Sequence, residues 1–251
     1  MVYLFASIKS DFQKIKRQPI LILHIVLPIL AVIVFTAYYS YTHWTPFSKA
    51  SGFLEMAALL LPVLIGIVSA MAVDQESSAG SFQHMLTSHI KIVPFLSKLV
   101  VILLLGLGTM LILTCGFSTT FKYILHQNPF GFSYYLYAAF ILFLSSIFVY
   151  VLHFIISFKF GGNVSIGLGI FELLLSALFI TNLGDGKWEF VPCTWGMRFI
   201  INFHNFMIKS SSFSKGLLEL HLAIILCILG TTAITIITCI WFLHWEGRKS
   251  E

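Results

Sequence analysis

The run ILILHIVLPILAVIVFTAYYS, which covers Ile20–Ser40, decides the fold. It contains no aspartate, glutamate, lysine or arginine, and about 20 apolar residues in a helix are enough to cross a bilayer. A secretory signal has a shorter apolar core of about 7–15 residues followed by a small-residue cleavage site. No such site follows Ser40, so we predict that this run is a retained first membrane span.

Five further apolar runs of similar length follow along the chain. We predict spans at Phe53–Val73, Leu96–Phe117, Ser133–Ser157, Asn163–Asn182 and Leu222–Leu243. The chain is 58% hydrophobic and only 10% charged, whereas soluble domains carry about 25% charged residues, so a water-soluble fold is excluded. The predicted fold is an all-α membrane protein with six transmembrane helices in one domain, residues 20–243. An N-terminal segment, 1–19, and a tail, 244–251, flank that domain.

The distribution of lysine and arginine predicts the orientation. Because the number of spans is even, both termini are expected on the same side of the membrane. Placing them inside puts nine lysine and arginine residues on the cytoplasmic side and six on the outer side, where the loops are longer. Cytoplasmic loops of membrane proteins carry the excess of these residues. We therefore predict cytoplasmic termini, with the loop after the second span also inside the cell.

The first residues form an amphipathic pattern rather than a span. Apolar residues recur at helical spacing at Leu4, Phe5, Ile8, Phe12 and Ile15. The other face carries Lys9, Asp11, Lys14, Lys16 and Arg17. The pattern predicts an interfacial helix on the cytoplasmic leaflet with its basic residues toward anionic headgroups, and a proline at position 19 ends it. A simple solvated lead-in to the first span is the alternative.

The loop after the second span is the most informative part of the chain. It begins DQESSAGSFQHML from Asp74, and carboxylates such as Asp74 and Glu76 are favoured in the first turn of a helix. Phe82, Met85, Leu86 and His89 then follow at helical spacing and form a narrow stripe on a short helix. A short helix of this kind, about 74–90, cannot cross the membrane, so its stripe requires a partner. The membrane surface and a docked soluble subunit are the two candidates.

Several segments resemble a known family. The acidic residues, glycine and apolar pair of this loop, followed by Pro-Phe-Leu-Ser-Lys at 94–98, resemble the coupling-helix region of ABC-2 type transporter permeases. Four segments together are similar to the lantibiotic-immunity permeases of that group: YYSY at 38–41, DQESSAGSFQ at 74–83, SIGLGIFE at 165–172 and GDGKW at 184–188. Within the group the MutG/NisG type is most similar, with the sister E type as the alternative.

The resemblance implies a transport subunit without catalytic residues. Two different permeases would pair above two copies of a separate ATPase and expel lantibiotic from the plasma membrane of the producing bacterium. The contact with the ATPase would involve Asp74, Glu76, Gly80, Phe82, Met85 and Leu86. ATP and Mg would be bound by the ATPase, and this chain contains no G-x-x-x-x-G-K-[ST] phosphate loop.

The outer loop, about 183–221, contains a second helical pattern. Polar residues recur at Arg198, Asn202, Asn205 and Lys209, with aromatic residues such as Phe203 on other faces. The pattern predicts a re-entrant or interfacial helix on the outer leaflet, placed to meet an amphipathic peptide lying in the membrane. A structural lid that packs against its own bundle is the alternative.

Glu172 lies near the middle of the fifth span. A charged residue at a helix centre costs roughly 2.5–3.5 kcal/mol on insertion scales, so Glu172 is expected to face protein or a water-filled cavity. It belongs either to a substrate path together with Arg198, Asn202 and Phe203, or to a proton-coupled site. A hydrogen bond to a neighbouring helix is the structural alternative.

Other classes of function lack support in the chain. The nine histidines form no ligand spacing, so no metal is predicted, and neither a nucleophile–base pair nor a nucleic-acid partner is expected. Small residues at Gly66 and Ala70, and at Ser165 and Gly169, permit close helix packing within the chain or between subunits. Two other functions stay open: a proton-coupled secondary transporter using Glu172, and a membrane immunity protein that sequesters peptide without transport.

Cysteine labelling in intact cells tests the orientation. In a background without the native cysteines, Lys187→Cys should react with a membrane-impermeant maleimide, because position 187 lies in the predicted outer loop. Lys249→Cys should react only after the cells are permeabilised. Labelling of both in intact cells, or the reverse pattern, contradicts cytoplasmic termini.

Overall fold

The structure is a computed structural model that describes residues 2–16, 18–210 and 216–248. These residues form helices and connecting turns, without a strand. Arg17 of the predicted basic face and the labelling position Lys249 lie outside the described residues.

The helices follow one another along the chain with short connections. Their bounds are α1 Val2–Ile15, α2 Pro19–Tyr41, α3 Pro46–Ser78, α4 Gln83–Leu86, α5 Ile92–Tyr123, α6 Phe132–Phe160, α7 Gly162–Phe179, α8 Trp195–Met207 and α9 Leu217–His244. Three short 3-10 turns, Asn182–Gly184, Trp188–Phe190 and Pro192–Thr194, connect α7 to α8.

Six of these helices are long and apolar enough to cross a membrane: α2, α3, α5, α6, α7 and α9. They coincide with the six predicted spans and confirm the predicted fold class. The largest difference is in α3, which has 33 residues and continues beyond the predicted Phe53–Val73 at both ends. The apolar pattern ends with the bilayer core, whereas the backbone hydrogen bonds continue into the flanking polar residues.

Side chains stabilise the helix ends where backbone groups lack partners. The hydroxyl of Thr45 accepts a hydrogen bond from the Ser48 amide at 3.2 Å, and Pro46 occupies the first turn of α3. Buried Lys49 donates to the Tyr39 carbonyl at 2.8 Å, in the last turn of α2. A cation at this position satisfies a free carbonyl and complements the negative end of the helix dipole.

Small residues bring α3 and α7 into close contact. A Cβ atom added to Gly169 would lie 2.7 Å from the carbonyl oxygen of Pro62, and one added to Gly66 would lie 2.9 Å from that of Ser165. A Cβ at Gly162 would lie 2.8 Å from the Cβ of Ala70. The small residues identified in the sequence therefore lie in the α3–α7 contact inside one chain, where Gly66 meets Ser165 directly.

The first and the last described helices, α1 and α9, reach the same end of the bundle, α1 with its Lys14 and α9 with its last turn, and we call it the terminal end. Helix α1 packs against the start of α5, and Lys14 of α1 contacts Glu76 near the end of α3. Lys91, just before α5, donates to the carbonyls of Leu243 and Trp245 at the end of α9. We call the other end, with the α2–α3 turn and α8, the opposite end. Which end faces the cytoplasm stays a prediction.

Two glycines of α7 provide a matched test of the α3–α7 contact. Gly169→Ala should lower the stability of the purified protein by about 1–3 kcal/mol, because the added methyl group meets the backbone of α3. Gly167→Ala should be neutral or slightly stabilising, since nothing lies within 4 Å of its added Cβ and alanine favours helix. Thermal unfolding in detergent measures both, and equal unfolding temperatures would contradict the contact.

Candidate functional site

The predicted position of Asp74 and Glu76 in a first helical turn is wrong. Helix α3 continues to Ser78, so both carboxylates lie in its last turns, where the helix dipole disfavours negative charge. Asp74 is exposed, but Glu76 is buried, with 4% of its surface exposed. A buried carboxylate at this end of a helix requires a positive partner.

Two lysines provide that partner. The Glu76 carboxylate lies 2.6 Å from the ammonium of Lys98 on α5 and 3.1 Å from that of Lys14 on α1. Asp11 of α1 contacts Lys14 at 3.4 Å and accepts a hydrogen bond from Ser97 of α5. We call these five side chains the charge cluster. It joins α1, α3 and α5 at the terminal end.

The positions of these charges explain why the members of the charge cluster depend on one another. Lys98 is 2% exposed and lies in the second turn of α5, where the helix dipole disfavours a cation. It also donates to the Ala72 carbonyl and the Gln75 side chain, both at 3.3 Å. Burial opposes the charge on Lys14, but the carboxylates of Glu76 and Asp11 outweigh it and raise the pKa of Lys14. Asp11 and Lys14 thus face the bundle and not the headgroups, contrary to the sequence prediction.

A sharp turn follows α3 and replaces most of the predicted coupling helix. Three consecutive residues have positive φ angles, namely Gly80 at 142°, Ser81 at 50° and Phe82 at 67°. Glycine adopts such angles readily, whereas a phenylalanine does so only where its surroundings hold it. Of the predicted helix at about 74–90, only the single turn α4, Gln83–Leu86, remains separate from α3.

The apolar stripe of this segment is covered by the chain itself. The ring of Phe82 lies 5.1 Å from that of Trp245 and 5.6 Å from that of Phe158, and it is 3% exposed. Met85 is 1% exposed, and Leu86 is partly buried. The prediction that this stripe requires an external partner is therefore wrong. Between Phe82 and Lys91, the exposed side chains are those of Gln83, His84, Thr87, His89 and Ile90.

Glu172 belongs to a buried polar chain between helices. Its carboxylate lies 2.9 Å from Nε2 of His153 on α6, and Nδ1 of His153 lies 2.8 Å from the hydroxyl of Ser165. Ser165 also donates to the Gly66 carbonyl of α3 at 3.3 Å. This arrangement corresponds to the structural alternative, a hydrogen bond to a neighbouring helix, and it links α3, α6 and α7.

Helix α8 packs against its own bundle. Arg198 donates to the carbonyl of Phe179 at the end of α7, at 2.6 Å, and to exposed Asp185 at 3.0 Å. The ring of Phe203 stacks on that of Tyr134, with centroids 5.0 Å apart. The hydroxyl of Tyr134 contacts His204 at 2.9 Å, and burial lowers the pKa of that histidine. The predicted helix in the outer loop is present, and its contacts are those of the predicted structural lid.

The residues of the predicted substrate path do not share one cavity. A cavity of about 700 Å³ lies between α6, α8 and α9, and its lining is almost entirely apolar. Asn202 and Phe203 line it, whereas Arg198 and Glu172 do not. The structure therefore separates the predicted set into a cavity wall, a helix cap at Arg198 and an interhelical hydrogen bond at Glu172.

Sequence reasoning missed two residues of these networks, Lys98 and His153. The sequence contained a signal for both residues, because a histidine inside a predicted span and a lysine at the start of one are costly unless they are paired. Their partners were not readable, since Lys98 and Glu76 are separated by 22 residues and His153 and Glu172 by 19. Among the described residues, no three histidine, cysteine, aspartate or glutamate side chains come together as a metal site.

The comparison with known families identifies the transmembrane scaffold. The profile of the family described as ABC-2 family transporter protein matches residues 7–181, which is more than half of the chain. The chain belongs to the ABC-2 transporter family. The matched region contains α2 to α7 together with most of α1, and thus all of the charge cluster. No curated protein and no solved structure gives a match.

Membership of this family assigns the chain a general role. It is a membrane component of an ABC transporter, which implies a permease subunit that works with an ABC ATPase. The match extends over the segment that joins α3 to α5, and five of the six helices long enough to cross a membrane lie within it.

The contribution of the ion pair between Glu76 and Lys98 to stability can be tested by removing one of its charges and, separately, by removing both. Glu76→Gln should destabilise this ABC-2 permease by about 3–5 kcal/mol, because it leaves Lys98 buried without a counter-charge. Glu76→Gln combined with Lys98→Met should recover most of that loss. Lys14→Met should cost about 1 kcal/mol or less, since Lys14 is one-third exposed.

Thermal unfolding of the purified variants gives the order of stability. If the double variant unfolds at the same temperature as Glu76→Gln alone, the buried charge of Lys98 is not the source of the effect.

Proposed function

We propose that the chain is one of two different permease subunits of an ABC exporter that expels lantibiotic from the bacterial plasma membrane and so protects the producing cell. The four segments at 38–41, 74–83, 165–172 and 184–188 support the lantibiotic substrate, and family membership supports the coupling to an ATPase. Two ATPase copies would bind ATP and Mg on the cytoplasmic side. The terminal end of the bundle would face them.

One observation carries this proposal: the segment after α3 is held firmly at the end of the bundle while its polar side chains stay exposed. Phe82 and Met85 point inward, and Glu76 fixes the preceding helix end through Lys98. Gln83 and His84 are exposed on the one-turn helix α4. A rigid, polar projection of this kind suits a docked soluble subunit better than it suits the membrane surface.

The same anchoring gives a route for movement. An ATPase that displaces α4 would also displace the ends of α3 and α9, because Phe82 packs on Trp245 and Lys91 donates to the Leu243 carbonyl. Through the charge cluster, α1 and α5 would follow. In this mechanism Asp74, Glu76 and Gly80 shape and hold the coupling segment. The exposed residues of that segment would contact the ATPase.

The remaining partners are the second permease and lipid. Helix α9 is the least buried of the six candidate spans, and its exposed face is apolar, with large side chains such as Ile228, Leu229 and Ile237. A homologous permease or lipid would cover this face. Asn202 and Phe203, which line the adjacent cavity, would meet substrate on the outer side.

The two other functions differ from this proposal in measurable ways. A proton-coupled secondary transporter using Glu172, or a peptide-sequestering immunity protein, requires no ATPase. Family membership favours the ABC transporter over both. Co-purification with a stoichiometric ATPase supports the proposal, and protection of cells without any ATPase subunit supports one of the alternatives.

The exposed and the buried residues of the coupling segment should behave differently. Gln83→Ala with His84→Ala should reduce capture of the ATPase about tenfold or more, since interface anchors cost about 1–3 kcal/mol each when truncated. The unfolding temperature should stay unchanged. Phe82→Ala should lower both capture and unfolding temperature, because it removes a buried ring from the bundle. Both variants should reduce survival of cells challenged with lantibiotic.

A matched control uses two exposed residues at the opposite end, Asn182→Ala with Lys187→Ala. Pull-down from detergent extracts, thermal unfolding and cell survival are measured for all three variants. If Gln83→Ala with His84→Ala captures the ATPase and protects cells as well as the control does, α4 is not the docking element.

A further inference from the structure

A second cavity, of about 620 Å³, lies at the opposite end of the bundle, between the last turns of α2, the first turns of α3 and the adjoining ends of α7 and α8. Its walls include Tyr38, Trp44, Gly52, Ile180 and Met197. Glu55 of α3 is the charged residue among the side chains that line it. Aromatic and apolar residues form most of the remaining lining, together with Ser48 and Ser51, and an acidic group in such surroundings points to a ligand with a positive charge.

Glu55 has no counter-charge within the described part of the chain. No lysine, arginine or histidine nitrogen of residues 2–16, 18–210 and 216–248 lies within 4.0 Å of its carboxylate. The ammonium group of Lys49, which is buried in this region, donates instead to the Tyr39 carbonyl and to the Gln127 side chain, each at 2.8 Å. The Ser51 hydroxyl hydrogen-bonds to the Glu55 side chain but carries no charge, so this partly buried carboxylate would be stabilised by a bound cation.

The aromatic walls are arranged for the same kind of ligand. The rings of Tyr38 and Trp44 are nearly perpendicular, at 89°, with centroids 6.3 Å apart, and each is about half exposed. Aromatic faces attract ammonium and guanidinium groups, most strongly where water is excluded. Gly52 lies one turn before Glu55 and keeps the space open, because an added Cβ would lie 3.2 Å from the Tyr39 hydroxyl and 3.7 Å from the Trp44 ring.

We infer that this cavity binds the ammonium or guanidinium side chain of a cationic amphipathic peptide, with the charge on Glu55 and the stem against Tyr38 and Trp44. The inference rests on the proposed function and names the contact that selects its substrate class. A volume of about 620 Å³ exceeds that of a lone cation and accommodates a basic side chain with its apolar neighbours. A choline headgroup of a lipid shares the same cation chemistry.

Binding to the purified full-length chain in dodecyl maltoside, a non-ionic detergent, tests this assignment. The probes are the tripeptide amide acetyl-Leu-Lys-Leu and the same peptide with its lysine acetylated, titrated by calorimetry. Wild type should bind the lysine peptide at least tenfold more tightly than the acetylated one. Glu55→Gln, which keeps the shape of the side chain, should abolish the difference. Trp44→Leu should reduce it, and the control Asp185→Asn, which removes an exposed carboxylate outside the cavity, should leave it unchanged.

Equal affinity of wild type for the two peptides would overturn the inference, as would an unchanged difference in Glu55→Gln. Displacement of the lysine peptide by an equal concentration of dihexanoylphosphatidylcholine would assign the cavity to a lipid headgroup instead. These outcomes are distinct from failure of the proposed function. A cation site at Glu55 can be present in a permease that captures no ATPase, and a transporter that protects cells can bind both peptides equally.

Discussion

The ion pair between Glu76 and Lys98 is shielded from solvent at the point where three helices meet. Each charge lies at the end of a helix whose dipole disfavours it, and each is almost fully buried, so neither is stable without the other. Lys14 brings α1 to the same carboxylate. The position of α1, the end of α3 and the start of α5 therefore depend on one another, and the turn that carries α4 begins directly beyond this pair.

Three basic residues donate hydrogen bonds to the ends of other helices. Such donors are needed because the last carbonyl groups of a helix near a membrane have no partner within the helix. Lys49 donates to the end of α2, Arg198 to the end of α7 and Lys91 to the end of α9. In each case the cation comes from a different segment than the helix it caps. These contacts connect neighbouring helix ends, so residues that look like surface charges in the sequence have structural roles in the fold.

Helix α3 connects the two regions with functional proposals. Glu55 and Glu76 lie on the same continuous helix, 21 residues and hence about 30 Å apart. Between them, Gly66 allows α7 to approach closely, and Ser165, His153 and Glu172 add hydrogen bonds across that contact. A displacement of the coupling segment would reach the aromatic cavity through a rigid element that is packed along its length.

The sequence by itself determined the six spans, the amphipathic first helix, the helix in the outer loop and the small residues for close packing, because apolar length and helical periodicity are local properties. Only the tertiary structure decided which charges pair and which apolar residues face inward. Phe82 looked like an anchor for a partner, but a turn with three positive φ angles directs it onto Trp245. Glu76 pairs with Lys98, and Glu55 has no cationic partner among the described residues, because such partners depend on how distant helices pack and not on spacing along the chain.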